Sequence, residues 1–348
     1  MKRILPIGLV LLISIACNDK KYSSGPLTIA KGQMPNLAID ASGFIHVVYG
    51  SGDSLMYTYS MDHGSTFAPV SMIAFVPKLT ASHTRGPQIA ATGNGLVVIA
   101  CNEPGDIYSF VKEGAGGWNK AKRVNDRDTT ARENFTALAA DGNHVFAVWL
   151  DLRHKHNEVF GARSNDGGKS WSENHKIYAS PDSTVCECCK PSVAIKKDKV
   201  VVMFRNWLDG NRDLYLVESN DGGMNFGKAK KLGFGNWKLD GCPMDGGSVV
   251  LDGNGNPQTA WNRKGVIYAS EPGQQEIELG KGKNCTLETI HGQKIYAWTE
   301  SRNVVVKLPA KKQDLGPGQH PLLKAMDENN IICIWENEKQ IHSAVISL

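Results

Sequence analysis

The sequence has 348 residues, of which 41% are hydrophobic, and its formal net charge at pH 7 is only +4. Because the lysines and arginines are also dispersed along the chain, the charge does not indicate a nucleic-acid partner. The 36 glycines and 15 prolines suit many turns and few helices, which favours an all-β fold.

The N-terminus has the pattern of an export signal. A basic pair precedes the apolar residues 4–15, a stretch too short to span a bilayer comfortably. Ala16 and Cys17 follow, and the segment resembles a bacterial lipobox, in which the cysteine is acylated. The alternative is an ordinary signal peptide cleaved near Ala16. We predict a signal peptide over residues 1–16 and a lipidated tether over residues 17–25, which anchors the protein through Cys17 to a bacterial membrane in the cell envelope.

A repeating unit occupies the rest of the chain. Each unit begins with a short motif, often containing proline, and continues as a strand of alternating apolar residues. The seven units begin at Pro35, Pro87, Thr136, Pro191, Gly247, Cys285 and Pro321. A second apolar strand follows in every unit, and third and fourth strands follow in most of them. Short four-stranded units repeated in this way predict a β-propeller, a ring of sheets around a central channel.

Three octapeptides within these units are near copies of one another. They are Ser60–Phe67, Ser164–Trp171 and Ser219–Phe226, and they share the pattern Ser-x-Asp-x-Gly-x-x-aromatic. In a tight turn the aspartate can accept backbone N–H groups, the glycine can adopt a positive φ and the aromatic ring can pack on the sheet. The pattern resembles the Asp-box, or bacterial neuraminidase repeat, of sialidase-like β-propellers. The resemblance implies the fold more firmly than the function.

The two ends of the repeat indicate how the ring closes. Only three strands fit after Pro321, while residues 26–30 precede the first unit without a blade of their own. This segment has the form of the fourth strands elsewhere, so we predict that it completes the last blade and removes the free sheet edges. The predicted fold is a single propeller domain over residues 26–348 with seven four-stranded blades. Six blades, the number in sialidases, is the alternative.

In a propeller, the loops before the inner strands and those between second and third strands lie on one face, beside the channel. Many polar residues of this chain fall in these loops. Those that we assign to ligand binding are Arg85, Arg132, Arg153, Arg205, Asn206, Arg263 and Lys283. A ring of charges and amides suits a sugar or another polar ligand. Four second strands also end in tryptophan, and we interpret these side chains as packing between blades: Trp149, Trp261, Trp298 and Trp335.

The segment Arg85-Gly-Pro87 resembles the Arg-x-Pro motif that opens the sialidase domain, where the arginine helps to clamp a carboxylate. The resemblance implies that the clamp is completed by Arg132, Arg205 and Arg263. It also implies catalytic roles for three carboxylates, Glu133, Asp151 and Asp245. However, no tyrosine stands at an evident nucleophile position, which argues against true sialidase activity.

The run Cys186-Glu-Cys188-Cys189-Lys-Pro191 is the most distinctive local feature. Cys186 and Cys242 fall at equivalent points of neighbouring units, and thiols normally oxidise after export, so we predict a Cys186–Cys242 disulfide. The alternative is a soft-metal site for copper or zinc, formed by Cys186, Cys188, Cys189, Cys242 and Met244. Two residues between paired cysteines is the familiar zinc spacing, which we do not assign to this run, so we predict no metal or cofactor.

These features together predict an exported, monomeric, sialidase-like propeller that binds a glycan or an acidic sugar at the channel mouth. Whether it also hydrolyses that ligand, as an exo-α-sialidase-like glycoside hydrolase, is left open. The alternative function is a non-catalytic module that binds a protein or a soft metal through the cysteine loops.

Overall fold

The computed structural model of this chain describes residues 25–114, 116–120 and 122–348. The predicted signal peptide, Cys17 and all but the last residue of the predicted tether lie outside these ranges. Within them the regular structure is entirely β, with 28 strands. None of the described residues forms a helix that could cross a bilayer.

The strands form seven antiparallel sheets of four strands each, which are the blades of a propeller. The first strand, β1 (Leu27–Lys31), belongs to the last blade. Blade 1 contains β2 (Gln33–Ile39), β3 (Ile45–Ser51), β4 (Ser54–Ser60) and β5 (Ser71–Phe75). Blade 2 contains β6 (Gln88–Thr92), β7 (Gly95–Cys101), β8 (Ile107–Glu113) and β9 (Lys122–Arg123). Blade 3 contains β10 (Thr136–Asp141), β11 (His144–Asp151), β12 (Glu158–Ser164) and β13 (His175–Tyr178).

The remaining blades follow in chain order. Blade 4 contains β14 (Ser192–Lys196), β15 (Lys199–Arg205), β16 (Leu214–Ser219) and β17 (Lys230–Lys231). Blade 5 contains β18 (Gly247–Leu251), β19 (Pro257–Arg263), β20 (Val266–Ser270) and β21 (Ile277–Lys281). Blade 6 contains β22 (Lys283–Ile290), β23 (Gln293–Glu300), β24 (Asn303–Lys307) and β25 (Lys312–Pro317). Blade 7 contains β26 (Gln319–Ala325), β27 (Asn330–Asn337), β28 (Gln340–Ser347) and β1.

The first strand closes the ring, as predicted. β1 pairs with β28 in antiparallel register, with Leu27 opposite Ser343 and Lys31 opposite Gln340. Blade 7 therefore takes three strands from the C-terminal end of the chain and one from residues near the start, which joins the two ends of the ring by backbone hydrogen bonds. The count of seven blades is confirmed, and the alternative of six is excluded.

Each of the three octapeptides forms the turn after the third strand of its blade. In the first, the Ser60 hydroxyl donates to Asp62 Oδ1 (2.7 Å) and accepts the N–H of Gly64 (2.9 Å), while Asp62 Oδ1 accepts the N–H of Thr66 (2.9 Å). Gly64 has a φ of 80° and lies so close to the last blade that a Cβ there would be 3.1 Å from Val345. The glycine is thus needed both for its backbone conformation and for contact with the neighbouring blade.

Large aromatic side chains fill the spaces between blades. The four tryptophans that end second strands are at most 2% exposed, which confirms their interpretation as inter-blade packing: Trp149, Trp261, Trp298 and Trp335. Two of them also bond the backbone of the preceding blade, because Trp298 Nε1 donates to Lys281 O (2.9 Å) and Trp335 Nε1 to Pro317 O (3.0 Å). This packing fixes the seven inner strands around the axis and so positions whatever lines the channel.

Candidate functional site

The inner strands β2, β6, β10, β14, β18, β22 and β26 line a central channel with a volume of about 540 Å³. This lies within the range of about 300–1,000 Å³ that is usual for small-ligand sites. Small apolar side chains line the middle of the channel. Polar side chains gather where the inner strands begin, and we call this the polar end, defined by Gln88, Lys190, Asp245, Asn284 and His320.

The polar end is positively charged. The Lys190 ammonium group donates to Gln88 Oε1 (2.8 Å), and no carboxylate of the described residues forms an ion pair with it. Burial among protein atoms lowers the pKa of Lys190 to about 8. Burial also lowers the pKa of His320 to about 4, helped by the nearby charges of Lys283, His83 and Lys190. His320 is therefore neutral at pH 7, and the positive charge at this end comes from the lysines.

Asp245 is the buried acid of the polar end. It is 4% exposed, and its carboxylate accepts the backbone N–H of Asn284 at 2.9 Å. Burial raises its pKa to about 6, although that hydrogen bond and the charges of Arg205 and Lys283 act in the opposite direction. The group therefore titrates close to neutral pH, as a proton donor or acceptor in a site would.

Two buried oxygens that line the channel have no hydrogen-bond partner among the described residues. They are Asn284 Oδ1 at the polar end and Ser192 Oγ at the start of strand β14. Buried polar atoms are normally paired, since leaving one unpaired costs about 1–3 kcal/mol. Both atoms are buried from solvent in this structure, so they can hydrogen-bond with a ligand only after their side chains rotate toward the channel.

The structure brings Arg85 and Glu133 together on the loops before β6 and β10. Arg85 Nε donates to the carbonyl oxygen of Glu133 (2.7 Å), and its guanidinium carbon lies 4.1 Å from the centre of the Phe135 ring. Burial raises the pKa of Glu133, against the effects of a hydrogen bond with Asn157 and the charge of Arg85. Arg132, predicted beside them, is exposed and its Nε donates to Thr129 O (3.1 Å).

Asp151 and Arg153 form a buried ion pair with each other. Asp151 is fully buried, and it accepts from Arg153 Nε (2.9 Å) and Trp149 Nε1 (2.8 Å). Burial alone would raise the pKa of Asp151, but these hydrogen bonds outweigh it and the pKa is lowered. An ionised, fully paired carboxylate is poorly suited to donate a proton, so the structure does not favour the predicted role of Asp151 as catalytic acid.

Three further residues predicted to bind ligand are held by the protein itself. Arg205 is 1% exposed and donates to the backbone oxygens of Asp245, Arg212 and Asn262 at 2.7–3.1 Å. Arg263 forms an ion pair with Glu276 (2.6 Å). Buried Asn206 donates to the hydroxyl group of Tyr178 (2.9 Å). Two of the four arginines in the predicted clamp, Arg205 and Arg263, are therefore already bonded within the protein and are not free to bind a ligand.

The cysteines form a different disulfide from the one predicted. Cys188 is bonded to Cys242, with their Cα atoms 6.1 Å apart, and Cys186 is a free thiol. The predicted Cys186–Cys242 pair is wrong because Cys186 is drawn into the interior: its N–H donates to Arg205 O (3.1 Å), and its sulfur accepts from Arg212 (3.1 Å). The turn that follows places Cys188 next to exposed Cys242 instead.

The free thiols form a compact buried group with this disulfide. Cys186 Sγ lies 3.4 Å from Cys189 Sγ and 3.7 Å from Cys188 Sγ. The hydrogen bond between Cys186 and Cys189, with the charges of Arg205 and Arg212, lowers the pKa of Cys186 to about 7. Met244, the predicted fifth ligand of a soft metal, is 40% exposed. Cys186 and Cys189 have two residues between them, so our statement that this run lacks the zinc spacing was wrong.

Sequence reasoning missed Lys190, Gln88 and Arg212. Lys190 is the residue immediately before Pro191, the start of the fourth unit. A count of polar residues at that adjacent position would have found it, together with His320 before Pro321. Arg212 lies in the loop between β15 and β16 and carries no local signal of its contact with Cys186.

No family model matches the chain, and no curated protein matches it either. Solved structures with a similar fold include the lectin BP39L from Burkholderia pseudomallei, with 10% identity and a TM-score of 0.64 over 91% of this chain and 96% of the lectin. An α-L-arabinanase from Penicillium chrysogenum, in complex with arabinobiose, has 14% identity and a TM-score of 0.55 over 94% of this chain and 99% of that one.

The sialidase NanB from Streptococcus pneumoniae has 10% identity and a TM-score of 0.47, over 92% of this chain and 70% of NanB. That score is too low to support an argument from NanB. At the identities of the other two structures the comparison shows a shared propeller fold and nothing finer. The resemblance of the octapeptides to the Asp-boxes of sialidase-like proteins stays a prediction.

Proposed function

We propose that this protein binds an acidic glycan, a carbohydrate that carries a carboxylate, at the polar end of its channel. The observation that carries the proposal is Lys190, a cation that lines the channel with an amide oxygen as its acceptor and no described carboxylate as its counter-ion. The pKa of Lys190 is lowered because the buried ammonium group loses its hydration and no ion-pair partner among the described residues compensates for that loss. A ligand carboxylate would supply that charge.

The surroundings of Lys190 extend the argument from an anion to a sugar. Lys283 adds positive charge near His320, which itself presents a neutral imidazole to the channel. Asn284 and Ser192 line the same channel, and each has a buried oxygen without a partner among the described residues, which a sugar hydroxyl would satisfy once the side chain turns toward the channel. Carboxylate recognition and hydroxyl recognition thus lie on one surface, which is the combination that an acidic sugar requires. A lectin and an arabinanase in complex with arabinobiose share the fold, which supports a carbohydrate as the ligand.

We propose binding without hydrolysis. Glycoside hydrolysis usually requires two carboxyl groups that flank the scissile bond, one of them often with a raised pKa. Asp245 meets the second condition at the polar end. Glu133 belongs to the neighbouring loop with Arg85 and is not part of the channel lining, and Asp151 is enclosed by its ion pair with Arg153. Among the residues that the structure describes, one carboxyl group of the required kind, that of Asp245, stands at the polar end.

The proposed location is the cell envelope, with the lipid on Cys17 as the anchor. The sequence pattern of residues 1–17 supports this. Incorporation of labelled palmitate into the protein, with loss of the label in Cys17→Ala, would test it.

The binding proposal is tested by calorimetric titration of the purified chain with uronic-acid oligosaccharides and with neutral oligosaccharides of equal length. We expect binding of the acidic series and a loss of about 10- to 100-fold in affinity for Lys190→Met, since hydrogen bonds to charged groups contribute about 1.5–3 kcal/mol. Lys196→Met is the matched control. Lys196 ends β14, the inner strand that Lys190 precedes. It lies at the opposite opening of the channel, where it donates to the carbonyl oxygens of Asp252 and Gly253.

Equal affinity for the acidic and neutral series would overturn the carboxylate argument. Equal loss of affinity in both lysine variants would place the ligand away from the polar end. Release of reducing sugar from the acidic series would overturn the statement that the site binds without hydrolysis.

A further inference from the structure

Three cysteine sulfurs at the junction of blades 4 and 5 lie close enough together to bind one metal ion, and a fourth is joined to one of them by a disulfide. Cys186, Cys188 and Cys189 come from the loop before β14, and their sulfurs lie within 4.8 Å of one another. Cys242 comes from the loop before β18 and is joined to Cys188. The three sulfurs of the first loop belong to buried residues, whereas Cys242 is exposed at the surface.

The spacing of the sulfurs matches a tetrahedral thiolate site. Zinc–sulfur bonds are about 2.3 Å long, so two sulfurs of a tetrahedral site lie about 3.8 Å apart. Cys186 Sγ is 3.7 Å from Cys188 Sγ and 3.4 Å from Cys189 Sγ, so these atoms stand near the required separation before any metal is bound. Only the bonded pair Cys188–Cys242 must open, and Cys242 is the exposed member of that pair.

The charges around the sulfurs also suit a thiolate cluster. Arg212 donates to Cys186 Sγ at 3.1 Å, which is the kind of outer contact that supports a metal-bound sulfur. Arg205 is buried close to the same sulfur and has no carboxylate ion pair among the described residues. Arg212 also pairs with Glu187 (3.2 Å). The two guanidinium groups offset part of the negative charge that four thiolates around a divalent ion would carry, since Arg212 is shared with Glu187.

We propose that, in the reduced protein, Cys186, Cys188, Cys189 and Cys242 bind one zinc(II) ion as a tetrathiolate. The first step is reduction of the Cys188–Cys242 disulfide by an external dithiol, which becomes a disulfide while the two cysteines become thiols. Zinc(II) then displaces four protons and forms four zinc–sulfur bonds. Four sulfur donors in a tetrahedral arrangement favour zinc(II), which prefers this geometry more strongly than copper(I) does.

The loops before β14 and β18 can therefore be cross-linked in either of two ways. Oxidised, the loops before β14 and β18 are joined by a disulfide. Reduced and loaded, they are joined by the metal, which would restrain the same two blades. The site shares no residue with the proposed glycan site, because none of its four cysteines lines the channel.

The test uses the purified full chain. The protein is reduced with a dithiol, and the dithiol is then removed in the absence of oxygen. Zinc bound after gel filtration is measured by elemental analysis, and cobalt(II) is used as a spectroscopic probe of tetrahedral thiolate coordination. We expect one zinc ion per reduced chain, cobalt–thiolate charge-transfer bands, and no zinc at this site in the oxidised chain. Cys186→Ser should weaken zinc binding more than about tenfold.

Cys333→Ala is the matched control. Cys333 is a buried free cysteine of blade 7, so its replacement should leave zinc binding unchanged. Because Cys186→Ser can disturb folding, the comparison of oxidised with reduced wild-type protein provides an arm that needs no substitution. Less than stoichiometric zinc in the reduced wild type, cobalt spectra without thiolate bands, or equal loss of zinc in both variants would each overturn the proposal. Binding of copper(I) with no binding of zinc would do so as well.

Discussion

Asp245→Asn should stabilise the protein at neutral pH and lose that advantage in acid. The pKa of Asp245 is about 6 in the folded protein, against an ordinary value of 3.8. One pKa unit corresponds to about 1.4 kcal/mol, so the ionised carboxyl lowers the free energy of unfolding by about 3 kcal/mol above pH 7. Asparagine keeps an oxygen that can accept the N–H of Asn284 and carries no charge to bury.

The sign follows from proton linkage. Between pH 4 and pH 6 the folded state binds the proton of Asp245 more tightly than the unfolded state does, so wild-type stability falls as pH rises through this window. Above about pH 7 both states are ionised and the loss is complete. The free energy of unfolding of Asp245→Asn relative to wild type should therefore rise from near zero at pH 4 to at most about 3 kcal/mol at pH 7.

The assay is chemical denaturation of both proteins at unit pH steps from 4 to 7, followed by tryptophan fluorescence. Asp252→Asn is the control with the opposite sign. Asp252 accepts the N–H groups of Asn254 (2.8 Å) and Asn256 (2.9 Å), which lowers its pKa, so its contribution to stability should diminish as pH falls. A difference between Asp245→Asn and wild type that does not change with pH would refute the reasoning, as would a less stable variant at pH 7.

Two further predictions concern the ring. Deletion of residues 26–31 should lower the thermal midpoint and produce concentration-dependent aggregation by light scattering, because β28 would become a free edge; a monomeric deletion protein of unchanged midpoint would contradict the closure argument. Gly168→Ala should cost at least about 2 kcal/mol in denaturation, because the residue has a φ of 90° and a Cβ there would overlap Val97. Gly167→Ala, with a φ of 74° but ordinary contacts, should cost only about 1 kcal/mol, and equal costs would show that contact with the preceding blade is unimportant.

The fold could be predicted because its determinants are local and repeated. A unit such as Pro35 to Phe75 contains its own strands, and its turn carries the hydrogen bonds of Ser60 and Asp62 whatever the neighbouring blades contain. Closure could be predicted because residues 26–30 match the fourth strands in form and lack any other partner. Each of these inferences needs only the spacing of residue types along the chain.

The site could be predicted only as a face, because side-chain direction depends on contacts between blades. Arg205 and Lys190 both stand at strand ends on that face. Arg205 ends a second strand and is drawn between blades 4 and 5 by three carbonyl groups, whereas Lys190 precedes an inner strand and reaches the channel. The disulfide shows the same limit, since Cys186 and Cys188 are two residues apart and one turn decides which of them meets Cys242.

Arg205 explains why the two proposed sites share one junction without sharing residues. Its guanidinium bonds the carbonyl groups of Asp245 and Asn262 in blade 5 while its own strand belongs to blade 4, so it fixes the loop before β18 against the loop before β14. Its charge favours the ionised form of both Asp245 on the channel side and Cys186 on the sulfur side, although burial still leaves the pKa of Asp245 raised. A buried cation that holds three carbonyl groups and stabilises two anions has a structural role sufficient to account for its burial, and a ligand carboxylate must find its partner in Lys190 instead.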